Sequence, residues 1–272
     1  MPEYEVPSTM LKAYARKLIT ENAPKPLLVS LLFVAVITAI AELQIYLSGT
    51  ALTYQQYVEQ IIAETTQSIS FFLSYESPPS PAFIIRQIIT GTAQSVSLFF
   101  SHLNPFSPFL IIALWLLGGV FRAGLMSYSL NLYRGRRSSA FDILDGFLIL
   151  GKIILILCIS SVVILLWSLL FLIPGIVAFY RYRQALFILL DDPKKSAMQC
   201  IRESKLIMHG NKFNLFLVDF SFFGWIFLSM GTAFLLRFVI PFPLPLISVF
   251  VWPYISLSNA NFYDGLIKKI RA

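Results

Sequence analysis

A chain of 272 residues suits one or two soluble domains by length, but 57% of it is hydrophobic and only 13% charged, where ordinary globular chains carry roughly 25% charged. With 25 phenylalanines and a mean hydropathy of +0.74, it holds more apolar side chain than a soluble fold of this size can bury. The formal charge of +7 does not point to nucleic acid, because the basic residues flank long apolar runs and no recognition fold or aromatic-basic pattern accompanies them.

The composition predicts an all-α, polytopic transmembrane helical bundle of about six spans. A span needs roughly 20 apolar residues to cross the hydrocarbon core. Before the first, residues 8–22 form a short amphipathic helix, with Leu11, Tyr14, Ala15 and Leu18 on one face, suited to the interface plane. Leu27–Leu47 is the first span. It ends in Glu42-Leu43-Gln44 rather than a small-residue cleavage site, so it is expected to stay as an anchor. Residues 50–104 carry two helical patterns, interrupted by polar residues and by Pro78, Pro79 and Pro81. They form either an external helical cap or a re-entrant pair.

Phe106–Leu130 is the second span and Leu150–Leu172 the third. Pro174-Gly175 then breaks the helix, and Ile176–Leu190 returns as a short fourth. Asp192 at an N-cap and Pro193 in a first turn open a helix over 193–209, expected to lie at the cytoplasmic interface. Gly210-Asn211 stops it. Phe213–Phe238 and Leu246–Phe262 are the fifth and sixth spans.

Charge orients this arrangement. Sixteen of the 21 Lys and Arg fall in segments 12–25, 134–152, 194–212 and 268–271. With six spans all four segments reach one side, so the excess of positive charge at the cytoplasmic face places both termini there. The expected location is a bacterial cytoplasmic membrane.

Catalytic spacing is missing. There is no HExxH and no phosphate-cradling glycine loop, and His102 and His209 have no nucleophile or orienting acid at a recognisable distance. Cys158 and Cys200 form no CxxC pair. No metal site or cofactor is expected. Charged residues within the apolar runs are the anomalies, since an ionised arginine inside a span costs about 3 kcal/mol on insertion scales. Arg122, Arg181 and Arg183 therefore either form a pocket for an anion or lipid headgroup, or snorkel or pair with Asp142, Asp145, Asp219 or Glu42. Pro174-Gly175 marks either a discontinuous helix that coordinates a substrate or a tight hairpin between two spans.

The polar segments between the spans carry a resemblance. Asn131-Leu132-Tyr133-Arg134-Gly135, then Asp142, Gly146-Phe147 and Gly151-Lys152, precede Leu169-Leu170-Phe171-Leu172-Ile173-Pro174-Gly175-Ile176. Asp191-Asp192-Pro193, Arg202-Glu203-Ser204-Lys205, Met208-His209-Gly210-Asn211-Lys212, Gly224-Trp225, Pro253-Tyr254 and Asn261-Phe262-Tyr263 follow in order. In these the chain resembles the bacterial multi-pass membrane family catalogued as domain of unknown function 975. That family is distantly similar to the membrane domain of certain glycerophosphodiester phosphodiesterases, whose separate catalytic domain has no counterpart here. The resemblance implies an inner-membrane protein without an assigned activity.

The function expected from these features is non-enzymatic: a scaffold, assembly or lipid-interacting component. Its partners would be membrane lipids, anionic ones included, and a second membrane protein. The alternative is a small transporter or permease-like protein for an anionic or amphiphilic solute.

Overall fold

The computed structural model describes residues 8–23, 25–47, 63, 66, 107–236 and 245–271. Among them there is no strand, and the fold is all-α. The chain divides into two compact units, one of Met1–Ala39 with Trp115–Ala272 and the other of Ile40–Leu114. The second holds the end of one helix and the start of another, where the Gln44 amide donates to the Ile111 carbonyl at 3.1 Å. The expected cap or re-entrant pair over 50–104 lies, apart from the helical Ala63 and Thr66, outside the described residues. All that follows concerns the first unit.

Helix α1 (Ser8–Asn22) buries Leu11, Ala15 and Ile19, spaced by four so that they form one stripe. The stripe faces protein: Leu11 joins one core cluster, while Ala15 and Ile19 join another. Tyr14, expected on the same face, is 43% exposed and instead meets Tyr133 edge-on at 5.4 Å. α2 (Lys25–Leu47) and α3 (Ser107–Tyr133) match the first two predicted spans closely.

Past α3, a 3-10 turn (Ala140–Leu144) and the single-turn α4 (Asp145–Leu148) fold back across it. Gly124 on α3 lies directly on the Ile143 backbone, where a Cβ would fall 1.9 Å from the Ile143 carbonyl oxygen. Gly146 lies on α3 in turn, with its notional Cβ 2.4 Å from the Val120 carbonyl oxygen. The small residues thus set the approach of two backbones.

α5 (Leu150–Leu170) and α6 (Leu172–Tyr182) form a helical hairpin. Its break is at Phe171, which is extended (φ −157°, ψ 146°), and not at Pro174-Gly175. Proline is tolerated in the first turn of a helix, where its missing N–H has no partner to lose. Pro174 accordingly sits in the first turn of α6. Gly175 serves contact rather than turning, since a Cβ there would meet Ser168 Oγ at 2.0 Å and its Cα at 2.9 Å.

The predicted fourth span is two short helices, α6 and α7 (Ala185–Asp191), separated at Arg183-Gln184. α8 (Ala197–Ile207) begins later than expected. Its N-cap is Ser196, not Asp192, and a full capping box links Ser196 with Gln199. That box satisfies two otherwise orphaned donors at once. Asp192 and Pro193 belong to the turn before it, where an Asp192 carboxylate oxygen accepts from the Lys194 N–H at 3.1 Å. Replacing Ser196 with Ala is expected to cost about 1 kcal/mol of unfolding free energy, read as a lowered midpoint in chemical denaturation. Ala197, Cys200, Ile201, Ser204 and Ile207 form the buried stripe of α8, and Gly210 closes the segment at φ +83°.

α9 (Lys212–Phe220) and α10 (Phe223–Leu236) are bent by 42° relative to each other. Lys12 on α1 holds the bend, its ammonium donating to the Ser221 carbonyl at 3.3 Å and lying 4.6 Å from the centre of the Phe222 ring. Finally α11 (Leu246–Arg271) is buried almost continuously from Ile255 to Asp264, including Ser256, Ser258, Asn259 and Asp264.

Three stretches are long and apolar enough to cross a membrane: Lys25–Gln44, Pro108–Tyr133 and Leu150–Leu170. The bent pair α9–α10 makes a fourth if it counts as one span. The divided fourth segment and the polar α11 are outside that set. The apolar side chains left facing outward along α5 and α10, such as Leu165, Leu169, Phe223 and Phe227, are each more than 60% exposed.

Candidate functional site

The largest concentration of paired charge lies where α3, α7 and α11 end together. α3 terminates at Tyr133, and Gly135 takes φ +67°, a left-handed conformation that favours glycine. The Gly135 and Arg136 N–H groups close back on the Leu132 and Asn131 carbonyls at 3.1 and 2.9 Å, completing a Schellman stop. The turn leaves Arg134 at the helix end with its side chain reaching two other helices. Its Nη1 and Nη2 donate to the two oxygens of Asp191 at the end of α7. Its Nε donates to Asp264 Oδ1 on α11 at 2.9 Å.

The group is largely withdrawn from water: the side chains of Arg134, Asp191 and Asp264 are 16%, 17% and 7% exposed. Burial by itself pushes the Arg134 pKa down, but the hydrogen bonds to Asp191 and Asp264 outweigh it and the net shift is upward. Tyr263 OH donates to Asp191 Oδ2 at 3.3 Å, and its ring stacks on Phe187 with centroids 5.2 Å apart. Lys268, one turn on and exposed, bonds Asp264 Oδ2 at 2.9 Å. That bond raises the Lys268 pKa.

Above this group is an open cleft of about 760 Å³, lined by polar residues from four separate segments. Tyr14 comes from α1, Arg134 and Arg136 from the end of α3, Asp191 and Lys195 from the α7–α8 turn, and Lys268 from α11. Lys195 is held by Glu203 at 2.7 Å, and that hydrogen bond raises its pKa. Arg136 is exposed. The cleft offers a neutralised floor and cations around its mouth, which suits an anionic headgroup. Among the described residues no group of three or more His, Cys, Asp or Glu is placed to hold a metal ion.

The residues singled out from the sequence fall elsewhere. Arg183 forms a two-pronged pair with Asp219 on α9, Nη1 to Oδ2 and Nη2 to Oδ1, the latter at 3.0 Å. Arg181 takes no part; its carbonyl accepts from Ser204 Oγ at 2.8 Å. Arg122 lies over the Trp252 ring at 5.5 Å. Asp145 accepts from Ser127 Oγ at 2.7 Å and Asp142 from Asn131 Nδ2 at 3.4 Å, so both hold the segment after α3 against it. Pro174 and Gly175 are in the α5–α6 hairpin, and Asp192 and Pro193 at the edge of the α7–α8 turn. Sequence reasoning singled out none of Arg134, Asp191 and Asp264 as site candidates. Arg134 and Asp191 were visible only as parts of motifs carrying the resemblance.

Residues 172–270 match the family described as "Protein of unknown function (DUF975)". No curated protein and no solved structure matches the chain significantly. The matched stretch contains Asp191, Lys195, Asp264 and Lys268 of the cleft and the Arg183–Asp219 pair. It stops short of Arg122, Arg134 and Arg136.

Proposed function

We propose that this chain is a multi-pass membrane protein that binds rather than catalyses, engaging anionic lipid headgroups through the cleft above Arg134. One observation carries the reading. The four basic segments assigned to one side from the sequence each send a residue, or a helix neighbour, to the same cleft: Tyr14, Arg134 with Arg136, Lys195, and Lys268. Such convergence accords with both termini on the cytoplasmic face, where anionic lipids attract basic residues by about 1 kcal/mol each near the surface. The apolar helices and the outward-facing leucines and phenylalanines suit a hydrocarbon surround. The six-span topology then requires α6–α7 to cross as one broken unit and α11 to cross within a protein sheath, which its buried polar residues favour.

The test is native mass spectrometry of the full chain released from nanodiscs of mixed phosphatidylglycerol and phosphatidylcholine. The natural sequence is expected to retain phosphatidylglycerol preferentially. Arg136→Glu, which reverses an exposed cation at the cleft mouth, is expected to cut that retention at least by half. Equal retention of the two lipids, or no change in the variant, sinks the proposal.

A further inference from the structure

The interior arginines leave one charge over. Arg183 occupies both oxygens of Asp219 and lies 5.5 and 5.8 Å from the ring centres of Phe179 and Tyr180. Arg122 is close enough to feel both members of that pair. Yet among the described residues its guanidinium has only the Trp252 ring, at 5.5 Å, and no carboxylate within ion-pair distance. Arg122 retains exposed surface while surrounding protein crowds it enough to desolvate it. The two facts together describe a cleft within the bundle, not an outer face.

The neighbouring backbone points the same way. Helix is interrupted at Arg183-Gln184 between α6 and α7, and irregular backbone at membrane depth persists where it is buried in protein or lines a polar cavity. Gln184 is fully buried, and neither amide atom has a hydrogen-bond partner among the described residues. A buried amide left unpaired is costly unless water or a ligand completes it.

We propose that Arg122, the Trp252 ring and the Arg183–Asp219 pair form an interior binding site for a singly anionic phosphate or carboxylate group. Asp219 cancels Arg183, so the site carries one positive charge in excess, on Arg122. A guanidinium whose plane rests on an aromatic ring still presents its N–H edge, and that edge matches a phosphate or carboxylate with two parallel hydrogen bonds. The group could belong to a lipid headgroup or to a free anion. No residue is shared with the cleft above Arg134, so this site and that reading stand or fall separately.

The test titrates the full chain in detergent with inorganic phosphate and, separately, with short-chain phosphatidylglycerol, following tryptophan emission. A saturable change with at least one probe is expected, and Trp252→Phe should remove it. Arg122→Gln should raise the half-saturating concentration at least tenfold, while Arg136→Glu leaves it unchanged. A response to phosphate identifies a free-anion site; a response to phosphatidylglycerol alone identifies a headgroup site. No saturable change with either probe, or unaltered binding in Arg122→Gln, overturns the proposal. So does a response lost in Arg136→Glu but kept in Arg122→Gln, which would belong to the cleft. If Arg122→Gln is not recovered folded, Arg122→Lys decides, because lysine keeps the charge without the two-pronged geometry: at least threefold weakening supports the site and unchanged binding refutes it.

Discussion

Arg134→Leu is expected to lower the unfolding free energy by about 3–5 kcal/mol, the range for removing one member of a buried ion pair. The cost comes less from the lost attraction than from what remains. Asp191 and Asp264 are both withdrawn from water, and without the guanidinium they face each other as buried like charges at the junction of α7 and α11. Lys268 offsets only Asp264, and from an exposed position. Arg134→Lys should lose less, since it keeps the charge but cannot reach both carboxylates in the three-bond geometry. Adding Asp191→Asn and Asp264→Asn to Arg134→Leu should recover part of the loss by removing the stranded charges. Equilibrium unfolding in mixed dodecylmaltoside and sodium dodecyl sulfate micelles reads all of these as shifts in midpoint. A loss below about 1 kcal/mol, the size typical of exposed pairs, would mean the triad is solvated and not structural.

Gly124→Val should be nearly as damaging. Overpacking a filled interior costs about 1–3 kcal/mol where side chains can rearrange. Here the obstacle is the Ile143 backbone, with its carbonyl oxygen 1.9 Å, its carbonyl carbon 2.4 Å and its Cα 2.7 Å from the added Cβ. Backbone cannot rotate away, so the segment carrying Asp142 and Asp145 must lift off α3. The expected loss is at the upper end of that range or beyond, with Gly124→Ala close behind, measured by the same unfolding titration. Gly151→Ala is the control, because a Cβ there meets nothing within 4 Å; it should be neutral or slightly stabilising, alanine being the better helix former.

The helices of greatest apolar content were legible in the sequence because hydrophobic run length is a local property. Lys25–Leu47, Ser107–Tyr133 and Leu150–Leu170 lie within a few residues of the spans read from composition. Element boundaries were less so. Pro174 looks like a breaker, yet a proline in the first turn costs nothing, and the chain turns three residues earlier at Phe171. Asp192-Pro193 looks like a helix start, while Ser196 with Gln199 three residues on was the stronger signature and fixes the true N-terminus of α8.

The charged groups divide in the same way. Asp219 was one of the carboxylates weighed as a partner for the interior arginines, and it does pair with Arg183. Nothing local distinguished it from Asp142 or Asp145, which instead hold polar side chains of α3. The Arg134 triad joins residues 57 and 130 positions apart, so no periodicity or motif spacing could bring them together. Asp264 gave the faintest sign, a carboxylate in an otherwise uncharged helical stretch with Lys268 one turn later.

The central claim is that four basic segments, far apart in sequence, share one face of a membrane and close around one cleft. The most direct measurement replaces Cys158 and Cys200, both free thiols, and then introduces a single cysteine in turn at Lys17, Arg136, Lys194 and Lys269. A membrane-impermeant maleimide is applied to right-side-out and to inverted vesicles. The account predicts that all four positions label in inverted vesicles and none in right-side-out ones. Labelling of any one from the opposite side would contradict it.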